Sequence, residues 1–306
     1  MPSSIDATGS TDVSAALNAW VKTVPNGSTI VFKSNGTYRL NSALLISSRQ
    51  NLTFDGNGAT LRSYGGYSES GSVLRVFGCT GITIRDIKLV GNSPTPGVYI
   101  GGKEYAHGVQ IVQGGDIEID NSTISNVYGD AVNSDYDTDG VWVHDSTINR
   151  PGRAGIVVLS GINWLVENNY FYNPSNTSAI VDIEPYEADG VVRHFTFRNN
   201  TIAGNTFYFA ANYGSAISDI TISGNTALNG SLRAIIGRVG PRPQRVTITN
   251  NIAKGPAVTW NPDALSGGGM VLMHIDGLTV TGNVASFSPA HTLAAITDCT
   301  NVVYRP

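Results

Sequence analysis

The sequence predicts an all-β chain wound as a parallel β-helix, a solenoid of stacked coils with a capping helix at its N-terminal end. Three observations carry this reading: a recurring six-residue phrase, alternation of apolar and polar residues within it, and one amphipathic stretch ahead of it. The phrase runs apolar–x–[Asn/Asp/Gly]–[Asn/Ser]–x–apolar. It starts at Phe54, Ile84 (the most degenerate copy), Ile119, Val143, Val166, Phe197, Ile222, Ile248 and Val280. The steps between starts are 30, 35, 24, 23, 31, 25, 26 and 32 residues. A kept unit separated by variable insertions marks a solenoid whose units stack on their neighbours. Alternation within each copy is a strand signal rather than a helical one.

Taken in order, residues 11–24 (TDVSAALNAWVKTV) read as the helix, with Thr11 or Asp12 as its cap. Val13, Ala16, Leu17, Trp20 and Val21 share one face, and Pro25-Asn26-Gly27 ends it. Such a helix suits the open end of the first coil. The strands STIVF and GTYRL follow, giving a cap over 1–53 and a body of about nine coils over 54–306. At 306 residues and 41% hydrophobic content the chain can bury a large core. Its 35 glycines suit many tight turns between short strands.

A net charge of -4 with 14% charged residues argues against a nucleic-acid surface, and no apolar run is long enough to span a membrane. The first residues, MPSSIDATGSTD, lack a secretory layout, so an extracellular location implies a removed signal or assembly into a virion. Cys79 and Cys299 lie several coils apart, too far for a bridge. The Asn column (Asn169, Asn200, Asn225, Asn251, Asn283) reads as scaffold: asparagine tolerates left-handed turns, and stacked amides bond along a ladder.

Chemistry is sought in the second strand of each unit. Aligned on apolar residues, these strands place Gln110, Asn133, Asp182 and Ile236 in one outward column and Asp135, Glu184 and Arg238 in another. Outward positions are mostly Ser, Thr, Asn or Gly, yet residues 130–139 carry four aspartates, and Asp182 and Glu184 share one face. Carboxylates this close persist where a cation, a base or a substrate uses them, or as a solvated turn with structural ion pairs. Arg153, Arg233 and Arg238 are placed to meet acidic groups. His107 is an acid/base or substrate-binding candidate, and Tyr208 and Trp260 are stacking candidates. No metal-ligand set is assigned by spacing. The run Asp135–Gly140 loosely resembles a calcium loop without its closing glutamate, which leaves Ca2+ as the one possible cofactor.

The opening DVSAALNAWVKTVPNGSTIVFKSNGTYRL resembles that of the pectate-lyase-like superfamily. The resemblance implies a right-handed, single-stranded parallel β-helix and a place among polygalacturonases, lyases, epimerases and phage tailspikes. The run GDAVN…NRPGRAGIVV…AIVDIEPYEADG is similar to bacterial and phage members that face saccharides, which carries Asp130, Arg153, Asp182 and Glu184 over as groove residues. Gly129-Asp130-Ala131 stands where polygalacturonases have paired aspartates, and the Asp-Pro-His-Glu run of alginate epimerases is missing.

Two readings follow. In the first, the chain cleaves a poly- or oligosaccharide: as a hydrolase using Asp182 or Glu184 with Asp135 or Asp130, or as a lyase with Arg153 or His107 as base. Asn133, Tyr208, Arg233 and Arg238 would then contact substrate. In the second, it is a phage tail spike or minor tail protein that binds cell-surface glycans. A free enzyme is expected to be a monomer and a tail spike a homotrimer.

Overall fold

A computed structural model describes residues 1–68, 71–173, 179–185, 189–204, 206–211, 216–228, 231–254, 270–285 and 293–305, apart from the side chains of 206–208, 231, 232 and 285. Alternating apolar residues bury one side of each short strand, and every strand pairs in parallel with its equivalent one coil away. The phrase starts are successive partners. Phe54, Ile84, Ile119, Val143, Val166, Phe197, Ile222, Ile248 and Val280 form one inward column, extended by Ile30 before it and Tyr304 after it. A second wall is an eleven-stranded sheet running from Thr8–Asp12 to Val284–Ala285. The core lies between the walls. It holds aromatic packing near the N-terminal end, where Phe32 meets Tyr38, and again midway, where Phe195 packs on Trp164 and Phe209, and Phe197 on Phe171.

The helix is shorter than the sequence suggests, spanning Ser14–Thr23. Thr11 and Asp12 instead finish an edge strand that pairs with Thr37–Leu40. Asp6 draws the chain into that strand by accepting hydrogen bonds from the Thr8 and Thr11 amides and the Thr8, Ser10 and Thr11 hydroxyls. Asp12 still serves the helix start, accepting from the Ser14 amide at 3.0 Å. Val13, Leu17 and Val21 are buried as expected and Trp20 packs at the margin, whereas Ala16 faces solvent and Ser14 is buried in its place. Asn18 fixes the helix to the first coil, donating to the Ala43 carbonyl and accepting from the Leu45 amide. The lead-in strands Thr29–Val31, Thr37–Leu40 and Leu44–Ser47 stack in register on the coil after them, so the sheets run on across residue 53.

The Asn–Asn pairs divide two tasks that the sequence reading gave to one residue. The first member takes the left-handed backbone: Asn168, Asn199 and Asn250 have φ of 57°, 55° and 56°, and Gly224 and Gly282 fill the same place. The second member is the buried rung. Asn225 Oδ1 accepts from the Asn200 amide at 2.9 Å and its Nδ2 at 3.0 Å, while Asn225 Nδ2 donates to the Phe197 carbonyl at 3.0 Å. Asn169, Asn200, Asn251 and Asn283 repeat the pattern, and Ser146 and Ser122 continue it toward the N-terminus. Cys79 and Cys299 are free, as their separation predicts.

The two roles are separable by mutation. Asn225→Ala strands buried donors and an acceptor and should cost about 2–4 kcal/mol in urea unfolding. Asn168→Gly should change stability by less than about 0.5 kcal/mol, and Asn168→Ala should cost about 1 kcal/mol.

Candidate functional site

The second strands align as follows: Arg75, Gln110, Asn133, Val157, Asp182, Ala210 and Ile235 are successive partners in one column. Gln110, Asn133 and Asp182 thus share a column as predicted. Ile236 does not: it partners Ala211, which in turn partners Ile183, and is buried, and Ile235 takes the outward place. The apolar run Ala234-Ile235-Ile236 has no alternation to fix its register, so the alignment slipped by one residue. Arg238 moves with it out of the Asp135–Glu184 column and lies exposed beyond the strand end. Arg233 is nearly buried, two coils from Asp182 in the column through Ile180. Tyr208 pairs by its backbone with Arg233, and its side chain lies outside the described residues, as does all of Trp260.

Asp130 organises the site. It precedes the strand Val132–His144 and its side chain is fully buried. Its Oδ1 accepts from the Ala154 amide at 3.0 Å. Its Oδ2 accepts from Asn133 Nδ2 at 3.1 Å and Arg153 Nη1 at 3.3 Å, with His107 Nδ1 also at 3.3 Å. Burial opposes the charge, but the interactions with His107, Arg153 and the Ala154 amide outweigh it and hold the carboxyl below its usual range. The preceding Gly129 is required by close packing: a Cβ there would stand 2.1 Å from the Glu104 carbonyl oxygen and 2.8 Å from His107 Nδ1. His107 is buried too, and its Nδ1 lies 3.1 Å from the Asp130 amide nitrogen as well as facing Oδ2.

Arg153 is the junction of the cluster. Its Nη1 meets Asp130 while its Nη2 reaches Glu184 at 2.7 Å and Asp182 at 3.8 Å. Burial disfavours its charge, yet the three carboxylates more than compensate and raise its affinity for the proton. Asp182 and Glu184 flank the inward Ile183, so both point outward. Asp182 differs in protonation. Its side chain is only 21% exposed, and this burial, with repulsion from Glu184, pushes its pKa up to about 7 against the pull of Arg153. Because both acids touch the same nitrogen, the two oxygens lie within about 6.5 Å, the combined reach of 3.8 and 2.7 Å.

A cleft of about 480 Å³ opens over this cluster, lined by His107, Gln110, Asn133, Asp135, Arg153, Leu159 and Glu184 on the coil wall. Its rim adds Tyr136 and, from the segment 93–106, Tyr99, Glu104 and Tyr105. The three tyrosines are 62%, 46% and 55% exposed. Asp182 is not one of the lining residues and borders them. Sequence reasoning points to the loop SPTPGVYIGGKEYA as one that sets groove specificity but assigns no role to Tyr99, Glu104, Tyr105 or Tyr136; the loop lies in the longest step of the repeat, 35 residues from Ile84 to Ile119. The acidic run Asp135–Gly140 lies within the strand Val132–His144 and is not a calcium loop. Asp137 accepts from Ser160 Oγ and Asp139 from Asn163 Nδ2, each on the next coil.

The fold places the chain among known proteins. A family model described as "right handed beta helix region" matches residues 72–236 and 107–303, and the chain belongs to this family. No curated protein matches the sequence. Among solved structures, it is similar to the endo-xylogalacturonan hydrolase of Aspergillus tubingensis: 14% identity over 96% of this chain and 90% of that one, TM-score 0.59. An exopolygalacturonase of Thermotoga maritima gives 11% identity, coverages of 97% and 86%, and a TM-score of 0.60. The surface adhesin PfbA of Streptococcus pneumoniae gives 12%, 98% and 91%, with a TM-score of 0.56. At these identities the likeness is one of fold. No helix among the described residues is long and apolar enough to cross a membrane.

Two measurements probe the cluster. Arg153→Met should cost about 3 kcal/mol by leaving Asp130 charged and buried, and adding Asp130→Asn should recover much of that loss in a double-mutant cycle. For Asp182, the unfolded carboxyl releases its proton near 3.8 and the folded one near 7. Between those values the folded state holds the extra proton, so stability falls as pH rises. Asp182→Asn removes this term. The melting temperature of the variant relative to wild type should therefore climb from pH 4 to pH 7 and then level off, over the window set by those two values.

Proposed function

We propose that the chain is an extracellular polysaccharide-acting protein, and that it is a glycoside hydrolase whose centre is the Asp182–Glu184–Arg153 cluster. The observation that carries this reading is the divergence of two adjacent carboxyls: Asp182 holds its proton near neutrality while Glu184 is ion-paired to Arg153 at 2.7 Å. Hydrolysis of a glycosidic bond needs one protonated acid to receive the leaving oxygen and one carboxylate to attack the sugar or activate water. Asp182 is assigned the first task. Glu184 takes the second, with Asp135 facing the same cleft as the alternative base. Arg153 holds Glu184 in place, and Asp130, which has no exposed surface, holds Arg153. The hydrolase folds of the Aspergillus and Thermotoga neighbours are consistent with this assignment. A lyase that uses Arg153 as its base is disfavoured, because Arg153 is engaged by three carboxylates, and His107 is then the base an elimination would use.

A second reading, glycan binding without turnover, is favoured by one specific feature. The exposed tyrosines 99, 105 and 136 give the rim apolar faces on which sugar rings stack, and this requires no chemistry. As a virion or surface component the protein would use the same cleft for attachment.

A panel of acidic and neutral polysaccharides separates the readings. New reducing ends without ultraviolet absorbance are expected from wild type, falling at least about 100-fold in Asp182→Asn and Glu184→Gln, with binding retained in Asp182→Asn. Products carrying an unsaturated, ultraviolet-absorbing end would replace hydrolysis by elimination. Binding with no released ends would leave the attachment reading.

A further inference from the structure

A second cluster lies on the adjoining wall, on the strands that carry the phrase starts. Asp120, His144 and Asp145 converge there: His144 Nδ1 is 2.8 Å from Asp145 Oδ2 and 3.4 Å from Asp120 Oδ1. One donor atom from each of the three falls within 4.8 Å of the others. We propose that this cluster is a binding site for a single divalent transition-metal ion of the zinc type.

The imidazole is built for the task. Its side chain is 9% exposed, and Trp142 stacks on it with ring centroids 3.7 Å apart and planes 22° from parallel. Trp142 is itself fixed by donating Nε1–H to Glu167 at 3.1 Å. On the far side of the ring, His144 Nε2 meets Glu118 Oε1 at 3.2 Å, and Thr83 Oγ1 donates to Glu118 Oε2 at 3.0 Å. A carboxylate on one imidazole nitrogen sets the tautomer that leaves the other nitrogen's lone pair for a metal. That other nitrogen, Nδ1, is the one aimed between Asp120 and Asp145.

Charge points the same way. Asp120 and His144 belong to the outward column Asp55, Arg85, Asp120, His144, Glu167, Arg198. The two arginines are committed elsewhere, Arg85 to Asp55 at 2.9 Å and Arg198 to Glu167 at 2.7 Å. Three carboxylates (Glu118, Asp120 and Asp145) therefore surround one imidazole. The neighbouring turn positions hold Asn121 and Asn168, both left-handed like Asp145, so a carboxylate at 145 is not needed for the turn. One nitrogen and two carboxylate oxygens suit zinc better than calcium or magnesium, which take oxygen-rich shells. Tetrahedral arms of about 2.0–2.1 Å put ligand atoms roughly 3.3 Å apart, so Asp145 need retreat by only about half an ångström. Asp145, 57% exposed, leaves the fourth position open to water. The ion would join two coils, through Asp120 on one and His144 with Asp145 on the next.

The test is calorimetric titration of the metal-stripped whole chain with zinc chloride at neutral pH. Wild type should bind one ion per chain, weakened by at least about 100-fold in His144→Ala and by about 10–100-fold in Glu118→Gln, whose carboxylate only orients the ring. Asp145→Asn, in an exposed turn that accepts asparagine, keeps the fold intact and should also bind at least about 10-fold more weakly. Zinc should raise the melting temperature of wild type and not of Asp145→Asn. No one-to-one binding by wild type, or equal affinity in folded Asp145→Asn and wild type, overturns the proposal. Equal or tighter wild-type binding of calcium at the same site also overturns it.

Discussion

The parallel register between coils is the constraint on which the rest of the molecule depends. Equivalent residues on successive coils sit about 4.8 Å apart, and alternate residues on one strand about 6.6 Å apart. Once the phrase starts are stacked in one inward column, every outward position is assigned a place on a lattice. Chemistry on this protein is therefore a matter of which residue types occupy neighbouring lattice points. Asp130, Arg153 and Glu184 come from three successive coils, and no two are closer than 23 residues in sequence. The lattice brings them together, and the cleft inherits its shape from the loop that the longest step inserts above it.

Within that lattice, a fully buried carboxylate does the organising. Asp130 has no surface with which to touch a substrate, so its value lies in what it holds. It fixes Arg153, and Arg153 in turn touches Glu184 and Asp182. A guanidinium with two fixed ends cannot relax toward solvent, so the electrostatic difference between Asp182 and Glu184 is maintained by the scaffold. Three carboxylates around one arginine leave excess negative charge, and burial together with repulsion from Glu184 pushes the Asp182 pKa up to about 7.

Much of this was legible in the sequence, and the limits of legibility are physical. The nine phrase starts were identifiable because each is apolar, followed by a polar residue and then a turn, and all nine are stacked partners. Asp182 and Glu184 stood out because charged residues in mid-strand are costly without a use. The register failed at Ala234–Ile236, where three consecutive apolar residues carry no period. The helix start was misplaced because Thr11-Asp12 reads as a cap, while the competing pull of Asp6 on Thr8–Thr11 has no local signature. Asn168 and Asn169 look identical as letters; only backbone geometry separates the turn-former from the rung. The His144 cluster escaped notice since its members occupy phrase positions, where variation reads as drift in the scaffold.

The asparagine ladder gives the stack a direction. Asn169, Asn200, Asn225 and Asn251 each send their backbone and side-chain N–H toward the Oδ1 of the next coil and return an amide hydrogen to a carbonyl of the previous one. No rung reaches beyond its neighbours, and the bonds are the same whether the asparagines are separated by 25 residues or by 32. Growth of the chain is thereby uncoupled from its integrity. A loop can lengthen, shorten or be exchanged between two rungs while the internal seam is unchanged, and a whole coil bearing the phrase can be added to the row. Such an architecture lets surface recognition diversify without renegotiating the interior, which is how a family can keep one shape at sequence identities as low as those seen here.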